Sequence, residues 1–159
     1  MEDLEGTSCH MELIFERKWK HIPIVRVFVE NYLAANLPRE SSTNPERVAM
    51  ALSELMENAV KYADRDAVKV TIAMIEVPAF RLRASVENGA SAESIGRVRA
   101  VFDRVMGGKP LESYVEMMRE AATRDDGTSR LGLIRIRAES GCALSLETTE
   151  NSLRFCLDL

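Results

Sequence analysis

Between positions 54 and 62 the chain reads Glu-Leu-Met-Glu-Asn-Ala-Val-Lys-Tyr. On an α-helix, residues i and i+4 lie one above the other, so Glu54 and Asn58 share a face. A side-chain amide oxygen at Asn58 is a hard ligand of the kind Mg²⁺ accepts beside waters and phosphates. Glu54 could take a proton from an attacking water or hydroxyl, and Lys61 could turn a positive charge toward phosphates. The plainer alternative is a solvated stripe in which Glu57 and Lys61 form an i,i+4 ion pair of ~0.3–0.5 kcal/mol.

Two further segments have residue types suited to a ligand. Val86-Glu87-Asn88-Gly89-Ala90-Ser91 follows an alternating apolar run; taken alone, it reads as an Asn-Gly turn after a strand. Gly127-Thr128-Ser129-Arg130-Leu131-Gly132-Leu133-Ile134 is a polar loop running into an apolar helix start. The first N–H groups of a helix attract phosphate. Arg130 could bind phosphate directly or fill the space that a phosphate needs. An ordinary helix start is the alternative. Cys9, Cys142 and Cys156 are scattered, with no Cys-x-x-Cys pair, so zinc ribbons and thioredoxin chemistry are unsupported. His10 and His21 are too few for a His-rich metal site.

The elements that must position these residues follow from periodicity. Residues 46–63 form the clearest helix, with Val48, Leu52, Leu55, Met56, Ala59 and Ala63 on one face and Glu54, Glu57, Asn58 and Lys61 on the other. Asn44 suits the N-cap and Pro45 the first helical position. Residues 23–37 also have helical spacing, with Ile24, Val27, Phe28, Tyr32 and Leu37 as the apolar set. Residues 11–16 are strand-like and are expected to open the sheet. Val68 to Met74 and Phe80 to Val86 alternate with period two, as do Leu144–Leu146 and Leu153–Leu159 around a turn at 149–152. The expected fold is an α/β two-layer sandwich: a mostly antiparallel sheet with helices on one face. Residues 91–130 form a helical insert, broken at Gly107-Gly108 and restarted at Pro110. It is either a lid-like partner surface or a packed hairpin.

The chain has 159 residues, 46% hydrophobic and 29% charged, with 21 basic against 25 acidic residues and a net charge of −4. This composition suits one domain spanning 1–159 with its own core. The charges are interleaved without a basic block, which disfavours direct nucleic-acid binding. No apolar run approaches the ~20 residues of a membrane span, and the acidic N-terminus lacks a signal peptide's regions. A cytoplasmic protein is expected.

The segment Ala51-Leu52-Ser53-Glu54-x-x-x-Asn58-Ala59-Val60-x-x-Ala63 resembles the N-box of the GHKL ATPase superfamily, and most of all its anti-sigma-factor serine/threonine kinases. The element order extends the resemblance over nearly the whole chain. By this resemblance Asn58 holds magnesium and Glu54 is the base. Glu87 stands where the family's adenine-binding aspartate lies, Gly89 matches a glycine that lets the backbone approach the base, and Ser91 replaces the second glycine. Gly132 matches the phosphate-loop glycine, and Arg130 stands where family members often carry glycine. The resemblance implies ATP and Mg²⁺ as cofactors, with Lys61 and Arg130 near the phosphates. It implies a regulatory protein partner, a sigma factor or an anti-anti-sigma-like protein, and leaves a homodimer open. Phosphoryl transfer to that partner is one reading. The departures at Glu87, Ser91 and Arg130 support the other, a catalytically inactive protein-binding module.

Overall fold

The computed structural model describes residues 7–65, 67–76, 78–123 and 131–159. Strand β1 (Thr7–Glu16) leads through a short 3-10 turn at Trp19–His21 into helices α1 (Ile22–Asn36) and α2 (Pro45–Tyr62). Strands β2 (Ala67–Ile75) and β3 (Arg81–Gly89) follow, then helices α3 (Ala92–Met106), α4 (Pro110–Thr123) and α5 (Leu131–Glu139). Strands β4 (Ala143–Thr148) and β5 (Ser152–Asp158) complete a five-stranded sheet of order β1-β2-β3-β5-β4. Every neighbouring pair is antiparallel, so the α/β two-layer sandwich expected from the sequence is the observed architecture.

Helix α2 is the centre of the core. Asn44 caps it, its side-chain oxygen accepting from the N–H groups of Glu46 at 2.9 Å and Arg47 at 3.3 Å. Pro45 fills the first position, where no N–H is needed. Val48, Leu52, Leu55, Met56 and Ala59 are buried against the sheet. The sheet offers Val68, Val70, Ile72 and Met74 of β2, Leu82, Ala84 and Val86 of β3, and Phe155 and Leu157 of β5.

Helix α1 turns a different face inward from the one its spacing suggests. Ile22, Val25, Val29 and Leu33 are buried, while Ile24, Val27 and Phe28 are exposed. The helix is apolar almost all the way round, so two faces share the same period and only the neighbouring layers choose between them. Tyr32 is half-buried and shares a 2.7 Å hydrogen bond with the Cys9 thiol, which ties α1 to β1. Burial and that bond push the Tyr32 hydroxyl up to about 12.

The sheet's other face is a grid of opposite charges. Lys69, Glu87, Arg154 and Glu147 stand side by side on β2, β3, β5 and β4. Their contacts are 3.2 Å for Lys69–Glu87, 2.9 Å for Arg154–Glu87 and 3.5 Å for Arg154–Glu147. Arg83 and Asp158 form a second rung at 2.7 Å. Cys156 lies between the rungs opposite Ser85 and Ser145, buried, and that burial pushes its thiol up to about 11.

Strand β3 runs farther than expected. Glu87, Asn88 and Gly89 belong to the ladder, paired with Lys69 and Val68 on β2 and with Arg154, Leu153 and Ser152 on β5. The Asn-Gly dipeptide makes no turn because β2 pairs with it as far as Asn88 and β5 as far as Gly89. In the insert, α3 and α4 join through an Arg104–Glu120 pair at 2.7 Å, and Val105 and Met117 reach the core. Among the described residues, no helix is long and apolar enough to cross a membrane.

Leu33 is sealed under α1 and Leu111 stands exposed on α4. Truncating the first should leave a cavity, so Leu33→Ala should cost about 2–5 kcal/mol of unfolding free energy. Leu111→Ala should stay within about 0.5 kcal/mol. Urea unfolding of both variants checks the assignment.

Candidate functional site

A cavity of about 560 Å³ opens where the C-terminal end of α2, the end of β3, the wall of α3 and the start of α5 converge. Ligand pockets of small molecules commonly fall between about 300 and 1,000 Å³. Its polar lining comes from Asn58, Lys61 and Asp64 around the end of α2, Asn88 on β3, and Ser94 and Arg97 on α3. Its apolar lining includes Val98 and Val101 of α3, Leu133 of α5, and Leu153 and Phe155 of β5. The alternation of β3 turns Asn88 to the helix side, where it is buried with its side-chain NH₂ donating to the Gly89 carbonyl at 3.2 Å. The Lys61 ammonium lies 5.7 Å from the centre of the Trp19 ring, a cation–π contact at the cavity's edge.

Glu54 is held elsewhere, and its carboxylate does not line the cavity. One of its oxygens accepts from Arg135 of α5 at 3.0 Å, and Arg135 also donates to Glu139 at 3.1 Å. Its other oxygen faces Gly132: a Cβ built on Gly132 would sit 2.8 Å from Glu54 Oε2 and 3.7 Å from Asn58 Nδ2. The structure thus brings Glu54, Asn58 and Gly132 together, and the glycine lets α5 settle onto the polar stripe of α2. Glu57, on the same stripe, has its pKa raised, first by burial and then by the nearby Glu54 carboxylate. Lys61, Arg135 and Arg26 pull it back in part.

The second motif is divided between the two faces of the sheet. Glu87 points to the open face, bonded to Arg154 at 2.9 and 3.1 Å and to Lys69 at 3.2 Å. Burial raises its pKa, but those two cations outweigh it and hold the carboxyl below its ordinary value. The position expected to read a base therefore faces away from the cavity, because strand alternation gives the helix side to Asn88. Gly89 is packed against the Arg65 stem, which occupies the place where a Cβ would stand. Ser91 caps α3, its hydroxyl accepting from the Ser94 N–H at 3.3 Å. The Ser91 N–H in turn donates to Asp64 Oδ2 at 2.5 Å, and this bond holds the exposed Asp64 carboxyl below its ordinary range.

Sequence reasoning placed Asn58, Lys61 and Gly132 in one neighbourhood and missed Asp64, Asn88, Ser94 and Arg97. Ser91 and Ser94 were accessible as a helix start after a strand. Asn88 required knowing that β3 runs through the dipeptide. Arg130 lies outside the described residues. Arg137 on α5 donates to the carbonyls of Val105, at 2.7 Å, and of Gly108, which ties α5 to the end of α3. Among the described residues, no group of three or more His, Cys, Asp or Glu side chains converges as a metal site.

No protein-family model and no curated protein sequence matches the chain. Its fold is similar to that of a chain in the crystal structure of the SiaB–SiaC complex from Pseudomonas aeruginosa. The TM-score is 0.61 and the sequence identity 18%, over 96% of this chain and 89% of that one. The two share a fold across nearly their whole lengths.

The raised pKa of Glu57 has a consequence for stability. The folded state holds the Glu57 proton more tightly than the unfolded chain, so this contribution is full below the unfolded pKa and is lost as pH rises through the folded one. Glu57→Gln should therefore raise the melting temperature at pH 7 and leave it nearly unchanged near pH 3. Thermal melts of both proteins across that range check the sign.

Proposed function

We propose that the chain is a regulatory protein that acts on a protein partner and holds ATP in the cavity between α2, β3 and α3. The observation that carries this reading is the cavity itself, with Asn58, Lys61 and Asn88 converging on a space of about 560 Å³. Asn58 would hold Mg²⁺, Lys61 would face the phosphates, and the buried amide of Asn88 would meet the base edge. Bound Mg·ATP supplies a transferable phosphoryl group. The GHKL resemblance supports the nucleotide and a partner of the sigma or anti-anti-sigma kind. The similar solved chain is one member of a two-protein complex, which supports a protein partner.

Two observations favour binding over phosphoryl transfer. Glu54, the expected base, is engaged by Arg135 at 3.0 Å, and it does not line the cavity. The Glu54 oxygen that accepts from Arg135 is already occupied, and neither it nor its neighbour is turned into the cavity. The kinase reading keeps one point in its favour, the intact Glu54–Asn58 spacing, and it requires Arg135 to release Glu54.

Calorimetry with Mg·ATP tests the proposal. The wild type should bind, Asn58→Ala should weaken binding about tenfold, or ~1.4 kcal/mol, and Glu54→Gln should leave the affinity nearly unchanged. Failure of the wild type to bind at millimolar nucleotide overturns the nucleotide reading. Equal loss in both variants overturns the division of the stripe. Rapid transfer from ATP to a candidate partner, abolished in Glu54→Gln, establishes the kinase instead.

A further inference from the structure

A second cleft, of about 610 Å³, lies at the opposite end of α2 and shares no lining residue with the cavity at Asn58. Its walls bring together one arginine from each of three helices: Arg26 of α1, Arg47 of α2 and Arg135 of α5. Among the described residues, the guanidinium groups of Arg26 and Arg47 hold no hydrogen bond and no ion pair. Arg26 does act on the Glu57 carboxyl at longer range, more weakly than that group's own burial. Arg135 is bound through Nε to Glu139 and through Nη1 to Glu54, which leaves the donors of its Nη2. Asn44, also on the wall, accepts the α2 cap bonds with its side-chain oxygen, and among the described residues its NH₂ has no acceptor.

We propose that this cleft binds a phosphomonoester, the group carried by phosphoserine, phosphothreonine or a small sugar phosphate. The surplus of donors selects it. Two unpaired guanidinium groups, the remaining nitrogen of a third and an amide NH₂ border one space, and Glu46 is the one carboxylate on the wall not already bound to an arginine. A carboxylate has two oxygens in one plane, and a single guanidinium fork satisfies it. A phosphomonoester has three terminal oxygens in a tetrahedral arrangement and a charge of about −1.5 to −2 at pH 7, so it can accept from all three helices at once. Two uncompensated cations on one cleft repel each other, and a dianion between them relieves that repulsion. The cleft is larger than the phosphate group itself, and Met50 and Ala138 give it an apolar wall for whatever carries that group. Glu46 opposes an anion and Arg47 is exposed, so the affinity should be modest, with a dissociation constant of ~0.1–1 mM.

Calorimetry of the full chain at about 0.15 M salt, where attraction between distant surface charges is screened, tests this with four probes. They are inorganic phosphate, a blocked glycine pentapeptide with phosphoserine at its centre, and the same peptide with serine or with glutamate there. The phosphoserine peptide should bind, and the serine and glutamate peptides should bind at least about tenfold more weakly. Arg47→Ala and Arg26→Ala should each weaken the phosphoserine peptide about tenfold. Arg47→Lys should recover only part of the loss, because a point charge lacks the guanidinium fork. Arg39→Ala, at an exposed arginine outside the cleft, should change nothing. Thermal melts confirm folding, and the exposed Arg47 carries the test if Arg26→Ala does not fold.

Inorganic phosphate that binds as tightly as the phosphoserine peptide supports the site and makes its ligand a small phosphate. A tighter phosphoserine peptide supports the site and makes its ligand a phosphorylated protein. Absence of binding by both phosphate probes at about 10 mM overturns the proposal. A glutamate peptide as tight as the phosphoserine peptide overturns it too, as does binding that survives Arg47→Ala in full, which would place the phosphate elsewhere on the chain. An equal loss in Arg39→Ala and Arg47→Ala would trace the binding to net charge and likewise overturns it.

Discussion

Helix α2 can bury one face on the sheet only by leaving Glu54, Glu57, Asn58 and Lys61 on the opposite side, and the approach of α5 at Gly132 decides what becomes of that stripe. A Cβ at 132 would stand 2.8 Å from the end of the Glu54 side chain, which would have to shift out of its present place. With glycine there, α5 comes close enough for Arg135 to take Glu54, while the next turn of α2 stays open to the cavity. A single close contact thus divides a continuous polar stripe into a neutralised half and an available half. Arg135 is itself exposed, so the pair adds at most about 1 kcal/mol, and the division is chiefly geometric.

The sheet supplies the second constraint. A slip of one residue in any strand would exchange its two faces. Here it would drive Lys69, Glu87 or Arg154 into the core beneath α2. The charge grid on the open face adds favourable cross-strand pairs in the native register and like-charge contacts in many others. Glu87 is best understood as part of this grid, which explains its carboxylate's partners without any ligand.

Much of this was legible in the residues, for reasons that differ by element. Helix α2 announced itself because its polar and apolar faces contrast sharply and because Asn44-Pro45 marks its start. The paired strands were legible because one face of the sheet is open, which leaves a clean alternation. The inner face of α1 was not legible: apolar residues on both of its sides give two equivalent patterns, and only the packing of β1, β2 and α2 selects Val25 and Val29 over Ile24 and Val27. Asn88 was hidden by an ambiguity of the same kind. Asn-Gly is a turn signal locally, but neighbours on both edges of β3 keep it extended. The Arg135–Glu54 pair joins residues 81 positions apart, a separation that no local pattern encodes.

Arg137 gives α5 a second attachment whose effect is mechanical. One end of this nine-residue helix rests on Glu54 through Gly132, and near the other Arg137 donates to the Val105 carbonyl at the end of α3 and to the Gly108 carbonyl just beyond it. The span is short, about 13 Å at the helical rise, and a helix of that length moves as a rod. Since α3 is a wall of the cavity, one short helix touches both the Glu54 carboxylate and the element that bounds the cavity.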